Sequence, residues 1–358
     1  MRSRPIASVA IAASAVVALT LTGCAVNEQG DAESDLAGTL DGAGSSAQGA
    51  AQDAWIAGFQ RANASVTVNY DPAGSGAGRE QFLVGAVGFA GSDAALSLDE
   101  LDGELVRCEP GAGAVDLPVY LSPIVLAFNV DGVDDLALDA SVVARIFSGE
   151  LTRWDDPAIA ELNPAADLPD AAITAVHRSD DSGTTENFTD YLAEAAGSDW
   201  PWPADDAFPG QGEAAQGNSG IAAVIRDGRN VIGYLDASRA AEFDVADLIV
   251  GGEPVAPTAE AAAAAVDGSP IEAGRADDDL VVDLARDSTE AGVYPLVLVS
   301  YLIACRTYTD AAEGELVRAY LEWVASAEGQ EAAARDAGSA PISPQLRERV
   351  QQVVAGIS

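Results

Sequence analysis

Residues 119–130 read Val119-Tyr120-Leu121-Ser122-Pro123-Ile124-Val125-Leu126-Ala127-Phe128-Asn129-Val130, a long apolar run rich in β-formers, with Pro118 just before it and Pro123 inside it. A second long apolar run covers residues 293–304. Runs of this kind can carry a chain from one domain into another. Two of them predict two lobes with two crossings: residues 38–120 plus 293–358 in lobe I, and residues 121–292 in lobe II. Around the crossings, strand and helix patterns alternate. Residues 39–46 read as a strand running into a glycine-rich turn. Ala47, Ala51, Ala54, Trp55, Gly58 and Phe59 then share one helical face. Residues 66–70 are a β-type run ended by Asp71-Pro72, and residues 84–91 a further apolar run. Later come an amphipathic helix at 141–147, a strand at 173–177, a helix at 221–225 and a strand at 230–235. An alanine-rich helix at 259–266 has Thr258 as its N-cap. Helices follow over 311–334, and a last one begins after Pro344. This alternation predicts an α/β fold with mainly parallel, helix-covered sheets. No internal repeat is present.

The chain has 358 residues and a formal charge of −39, with 18 arginines, no lysine and one histidine. Such a charge repels nucleic acid and anionic membrane surfaces. Nearly half the residues are apolar, so the chain is not disordered overall. One histidine excludes a multi-histidine metal site within one chain, and three cysteines without Cys-x-x-Cys exclude zinc ribbons and thioredoxin-type redox motifs.

Arg2 and Arg4 precede an apolar stretch at residues 6–21, shorter than the roughly 20 residues a membrane span needs. It ends in Leu21-Thr22-Gly23-Cys24, which resembles the bacterial lipobox. Residues 1–23 therefore read as a lipoprotein signal peptide, Cys24 as the lipidated residue and residues 24–37 as an acidic tether. That leaves Cys108 and Cys305. In an oxidising compartment an even pair suggests a disulfide, the alternative being two separate buried thiols.

Four segments place small and hydroxylated residues just before a helix or turn: Gly42-Ala43-Gly44-Ser45-Ser46-Ala47, Gly74-Ser75-Gly76, Arg178 through Thr185, and Gly217-Asn218-Ser219-Gly220. Glycine permits close backbone approach, and a helix N-terminus offers free N–H groups and a dipole that favours an anion. Arg178 stands at a strand end with a planar fork of donors, and Asp180 or Asp181 is placed to hold it. Ser182-Gly183-Thr184 opens a helix whose buried face would be Phe188, Tyr191, Leu192 and Ala195. Taken alone, each segment also reads as an ordinary turn or cap.

The same stretch admits enzymatic readings. Asp181-Ser182-Gly183-Thr184 matches an aspartic-protease signature, but a second copy is missing. A Ser182–His177 hydrolase lacks the Gly-x-Ser-x-Gly elbow. Asp93 follows an apolar strand. It reads either as a solvated turn residue or as a carboxylate facing an anion, where it can only accept a hydrogen bond. In the second case it would select protonated phosphate over fully ionised sulfate.

Together these motifs resemble the substrate-binding lipoprotein of the bacterial high-affinity phosphate ABC importer. The matching stretches include Asp41 through Ser46, Asn69 through Gly76, Gly91-Ser92-Asp93, Ile146 through Pro157, His177 through Thr185, and Gly217 through Gly220 with Ile232-Gly233-Tyr234. The resemblance runs from about residue 38 to the C-terminus. The absence of lysine and the abundance of alanine resemble a high-GC, actinobacterial relative. The resemblance implies a two-lobed Venus-flytrap (type II periplasmic-binding-protein) fold with inorganic phosphate buried in the cleft and no cofactor. It implies a hydroxyl from Ser46, a backbone N–H from Ala47, donation from Ser75, and acceptance of the phosphate proton by Asp93. Arg178 would be the sole cation, held by Asp180. Ser182, Gly183 and Thr184 would donate from the helix N-terminus, with Asn218 in support. The family often has Ser-Thr-Phe where this chain has Ser45-Ser46-Ala47, so an aromatic wall is missing. A lipid-anchored monomer on the extracytoplasmic face is expected, docking on a permease with a separate ATPase; no Walker A motif is present. The alternatives are another tetrahedral oxyanion (sulfate or molybdate), a surface phosphate sensor, or a phosphate-ester hydrolase.

Overall fold

The computed structural model describes residues 36–358. The lipobox with Cys24, the leader and most of the acidic tether lie outside the described residues. Strand and helix alternate from the start: β1 (Gly38–Gly44), α1 (Gly49–Ala62), β2 (Val66–Asp71), α2 (Ser75–Leu83), β3 (Phe89–Ser92) and the single turn α3 (Leu98–Leu101). Helix α1 forms because Ala51, Trp55 and Phe59 recur at i, i+4 spacing and are buried on one face. The apolar run at 84–91 becomes a strand only from Phe89. Gly85 takes φ +74°, and Val84 is left 61 % exposed.

The chain then enters β4 (Ala114–Asn129), a strand buried along its whole length except at its last residue. After it come β5 (Ala137–Leu138), α4 (Ala140–Phe147), α5 (Pro157–Leu162), β6 (Thr174–Arg178), α6 (Gly183–Ala195), β7 (Glu213–Ala215), α7 (Gly217–Asp227) and β8 (Val231–Asp236). A hairpin, β9 (Asp244–Val250) with β10 (Glu253–Val255), precedes α8 (Ala259–Asp267), and β11 (Val297–Cys305) brings the chain back. Helices α9 (Ala311–Val324), α10 (Ala327–Ala337) and α11 (Pro344–Val354) close the fold. The helix starts follow the local chemistry. Asp139, Asp156, Thr258, Ser326 and Ser343 each cap the helix that follows, and Pro157 and Pro344 stand where a missing N–H costs nothing.

The strand order is β2-β1-β3-β11-β4-β8-β6-β7. Strand β4 belongs to both halves of this sheet. Ala114 to Pro123 pair with β11, and Ile124 to Asn129 with β8. Pro123 stands where the partner changes. Pro118 stands opposite Tyr301 at a register shift, where the ladder tolerates a missing N–H. The outer strands pair in parallel, as the alternation predicts: β1 with β2 and β3, and β6 with β7 and β8. The two long central strands run antiparallel to each other and to their neighbours β3 and β8, so the sheet as a whole is mixed rather than mainly parallel. Cys108 and Cys305 form a disulfide across 197 residues, tying the approach to β4 to the end of β11. Among the described residues, no helix is long and apolar enough to cross a membrane.

Candidate anion-binding site

Strand β6 delivers Arg178 to its C-terminal end, and four residues later the chain turns into α6. Ser182 is the N-cap, its Oγ accepting from Thr185 N at 3.2 Å. The Arg178 side chain is 1 % exposed. Its Nε donates to Asp180 Oδ1 at 2.8 Å and its Nη2 to Oδ2, while Nη1 is buried with no partner among the described residues. Asp180 also accepts from Gly217 N at 3.0 Å, at the start of α7. Burial pushes the Asp180 carboxyl up, but the bonds and charge of Arg178 outweigh it and hold its pKa low. The Arg178 backbone is fixed in turn. Its N–H donates to Tyr234 Oη at 3.3 Å, and the Tyr234 ring stacks on Phe188 of α6 at 4.2 Å.

Asp93 follows β3 and is buried. Its Oδ1 accepts from Ser300 Oγ at 2.6 Å, its Oδ2 from Thr184 Oγ1 at 3.0 Å, and its N–H donates to Ser75 Oγ at 3.1 Å. Asn187 Nδ2 bridges the Asp93 carbonyl (2.7 Å) and the Gly183 carbonyl (2.8 Å). Burial raises the Asp93 pKa; hydrogen bonds from Ser300, Ser45 and Thr184 and the charge of Arg178 oppose the rise. Gly183 is required here. A Cβ at this position would lie 2.8 Å from Asp93 Cβ, 2.9 Å from Ser75 Oγ and 3.0 Å from Ala94 N. Gly74, at φ +112°, fits for a similar reason, since its Cβ would sit 2.9 Å from Asp180 Oδ2.

The structure thus brings Ser75, Asp93, Gly183 and Thr184 into one cluster, with Arg178 and Asp180 beside Gly74. Ser46 lies at the α7 end, its Oγ accepting from Asn218 N (3.3 Å) and Nδ2 (3.1 Å). The Ala47 N–H donates to Ser45 Oγ at 3.1 Å. Helices α2, α6 and α7 all begin at this cluster, so three N-terminal dipoles and the buried Arg178 guanidinium offset the Asp93 and Asp180 carboxylates inside an acidic protein. Sequence reasoning missed Ser45, Gln48, Asn187 and Ser300. The available signal was a buried serine inside the apolar run 293–304.

The Ser182–His177 hydrolase reading finds no support in the geometry. His177 donates from Nδ1 to the Arg178 carbonyl at 2.9 Å and stacks on Phe208 at 4.4 Å, while Ser182 Oγ is engaged as a cap. A cavity of about 630 Å³ adjoins Asp93 and reaches Arg275 and Arg286. Both arginines are already committed, Arg275 to Glu272 and Asp279, and Arg286 to Asp190 and Asn187. Among the described residues, no cluster of His, Cys, Asp and Glu is arranged to hold a metal.

Residues 29–328 match the family model described as a PBP superfamily domain. The chain is 36 % identical over 343 residues to phosphate-binding protein PstS 3 of Mycobacterium tuberculosis, covering 94 % of this chain and 92 % of that protein. It is 35 % identical over 369 residues to PstS 2 of the same organism, covering 98 % of each. Among solved structures it is similar to a high-affinity periplasmic phosphate-binding protein (PfluDING) bound with phosphate, with a TM-score of 0.71, 23 % identity, and coverage of 88 % of this chain and 93 % of that one.

Proposed function

The chain belongs to the PBP superfamily and, within it, to the phosphate-binding proteins of phosphate ABC importers, and from this premise we propose that it captures inorganic phosphate outside the cytoplasmic membrane in the Arg178–Asp93 cluster. One observation carries the assignment to this cluster: a buried guanidinium, gripped by Asp180 on two of its nitrogens, whose third nitrogen has no partner among the described residues. A buried cation with an unspent donor calls for an anionic acceptor. In this reading Arg178 Nη1 donates to phosphate, and the α6 start supplies Ser182, Gly183 and Thr184. Ser75 donates from α2. Ser46 adds a hydroxyl, with Asn218 holding it. Ala47 contributes its N–H by sharing it with Ser45 Oγ. Asp93 accepts the proton of a phosphate oxygen, which sulfate lacks at neutral pH. Each hydrogen bond to a charged group is worth roughly 1.5–3 kcal/mol. Several of them, less the cost of closure, give micromolar or tighter binding, about −8 kcal/mol or better.

The two halves of the sheet, joined through β4 and the return into β11, act as lobes I and II and close on the anion by hinge motion. Function then requires a permease and a separate ATPase, with the chain itself a monomeric binding protein rather than an enzyme. Cys24 provides the lipid anchor. Equilibrium dialysis of the chain lacking residues 1–24 against labelled phosphate, with sulfate in excess, tests the reading. Saturable retention of one phosphate per chain supports it, and displacement of phosphate by sulfate overturns the choice of anion.

A further inference from the structure

The two oxygens of Asp93 have different surroundings, and a chain of buried side chains sets the difference. It begins at Tyr320 in α9, whose hydroxyl donates to Gln52 Oε1 at 2.7 Å. Gln52 Nε2 donates to Gln48 Oε1 at 2.8 Å. Gln48 Nε2 donates to Ser300 Oγ at 2.7 Å and to the Tyr301 carbonyl at 2.8 Å. Ser300 Oγ lies 2.6 Å from Asp93 Oδ1. None of Tyr320, Gln52, Gln48 and Ser300 is more than 1 % exposed. Gly91 makes room for the chain, since a Cβ there would meet Gln48 Oε1 at 2.7 Å.

Partners fix the direction of these bonds. The two ends of an amide have the same shape, so their chemistry must be read from what they face. The Tyr301 carbonyl can only accept, so the end of Gln48 beside it is the NH2 group. Ser300 therefore receives a hydrogen from Gln48 and has one proton of its own to give. Among the described residues, the only acceptor bonded to it is Asp93 Oδ1.

Resting on the phosphate reading above, we propose that Gln48 and Ser300 are positioning residues that set anion specificity. They hold Asp93 Oδ1 as an unprotonated acceptor, which leaves Oδ2, beside Thr184 at the start of α6, to accept from a protonated phosphate oxygen. The groups facing Asp93 fit this role. Burial pushes its carboxyl up, and the Ser300 hydrogen bond is the largest opposing influence, ahead of Ser45, Thr184 and the charge of Arg178. Tyr70, from β2, also faces Asp93, and burial together with that carboxylate holds it in its neutral form. Burial already outweighs these influences; without the Ser300 donor the rise loses its largest counterweight, which favours the protonated carboxyl further. Phosphate then loses its acceptor and sulfate gains a donor.

The test is calorimetric titration of phosphate and of sulfate into the wild-type chain, Ser300→Ala, Ser300→Thr and Gln48→Met, from about pH 5.5 to about pH 8.5. The proposal expects Ser300→Ala to lower the phosphate-to-sulfate affinity ratio about tenfold or more, the loss of one hydrogen bond to a charged group, and most at the acidic end. Ser300→Thr keeps the hydroxyl and the ratio. Gln48→Met shifts the ratio in the same direction as Ser300→Ala. A folded Ser300→Ala or Gln48→Met with the wild-type ratio at every pH overturns the proposal, and Gln48→Met decides alone if Ser300→Ala does not fold. In the wild-type protein with phosphate bound, difference infrared spectroscopy against Asp93→Asn gives an independent reading near pH 7. An ionised carboxylate band supports the proposal, and a protonated one overturns it. Failure of the wild-type chain to bind phosphate at all is a separate outcome that removes the functional reading itself.

Discussion

Arg178 and Asp180 are joined by two hydrogen bonds, from Nε and from Nη2, and among the described residues this pairing leaves Nη1 as a buried nitrogen without a partner in a guanidinium whose side chain is 1 % exposed. The carboxylate orients the cation without using all of it. Removing the guanidinium deletes the charge and the fork geometry together. Arg178→Ala is therefore expected to weaken phosphate binding by at least about 100-fold, equivalent to one or two charge-assisted hydrogen bonds. Arg153, on an exposed loop and paired with Asp155, serves as the control; Arg153→Ala should change affinity by less than about threefold. Titration calorimetry on both variants checks the contrast, and equal losses would move the site away from Arg178.

Gly183 has no room for a side chain, because Asp93 Cβ, Ser75 Oγ and Ala94 N surround the place its Cβ would occupy. The obstruction involves the partner segments and not the helix, where alanine is the better residue. Gly183→Ala should thus leave the thermal midpoint within a few degrees of wild type and still reduce phosphate affinity by about tenfold or more, because the two halves can no longer meet. Thermal melts beside calorimetry separate the two effects. A variant that binds normally would show that this contact does not matter for closure.

The parts of the site that the sequence displayed are those whose chemistry is local. Arg178 at a strand end, Asp180 two residues on, and Ser182-Gly183-Thr184 as the opening of an amphipathic helix can be read within ten residues. Asp93 was readable as a carboxylate after an apolar strand. Ser300 was not, because its role depends on a strand register that brings it to Asp93 from 207 residues away. Gln48 and Asn187 likewise look like ordinary polar residues on helices until the tertiary packing is known. The hairpin β9–β10 went unassigned because its acidic residues, Asp244, Asp247 and Glu253, resemble a solvated loop, although every second residue over 246–250 is buried. The mixed character of the sheet also escaped notice. Alternating strands and helices imply parallel pairing, while the direction of a returning crossing strand is set by topology.

Asp236 ends β8 in full burial, accepting from Tyr120 Oη at 3.0 Å and Ser238 N at 2.9 Å. Burial pushes its pKa up to about 6, against the hydrogen bonds that favour the charged form. A carboxyl whose folded pKa is raised contributes stability that is fully present below its unfolded value near 3.8 and is lost as pH rises through about 6. Relative to wild type, Asp236→Asn should therefore gain stability between about pH 4 and about pH 7.5, by up to about 3 kcal/mol. Urea melts at the two pH values measure the change, and a pH-independent difference would contradict the buried-acid account.

The Cys108–Cys305 disulfide closes a loop of 197 residues and joins segments far apart in the chain. Constraint of the unfolded chain over so long a loop is worth roughly 2–5 kcal/mol. Replacing both cysteines by serine should lower the thermal midpoint by several degrees and leave phosphate affinity nearly unchanged, because the bridge lies away from the Arg178–Asp93 cluster. A large loss of affinity at unchanged midpoint would argue against a purely stabilising bridge.

The central claim is that the Arg178–Asp93 cluster captures phosphate and rejects sulfate. Isothermal titration calorimetry tests it most directly, using the chain lacking residues 1–24, stripped of bound phosphate and held at physiological salt. Saturable one-to-one binding of phosphate is expected, with little heat from sulfate under the same conditions. Sulfate binding equal to or stronger than phosphate binding, or no binding of either anion, would contradict it.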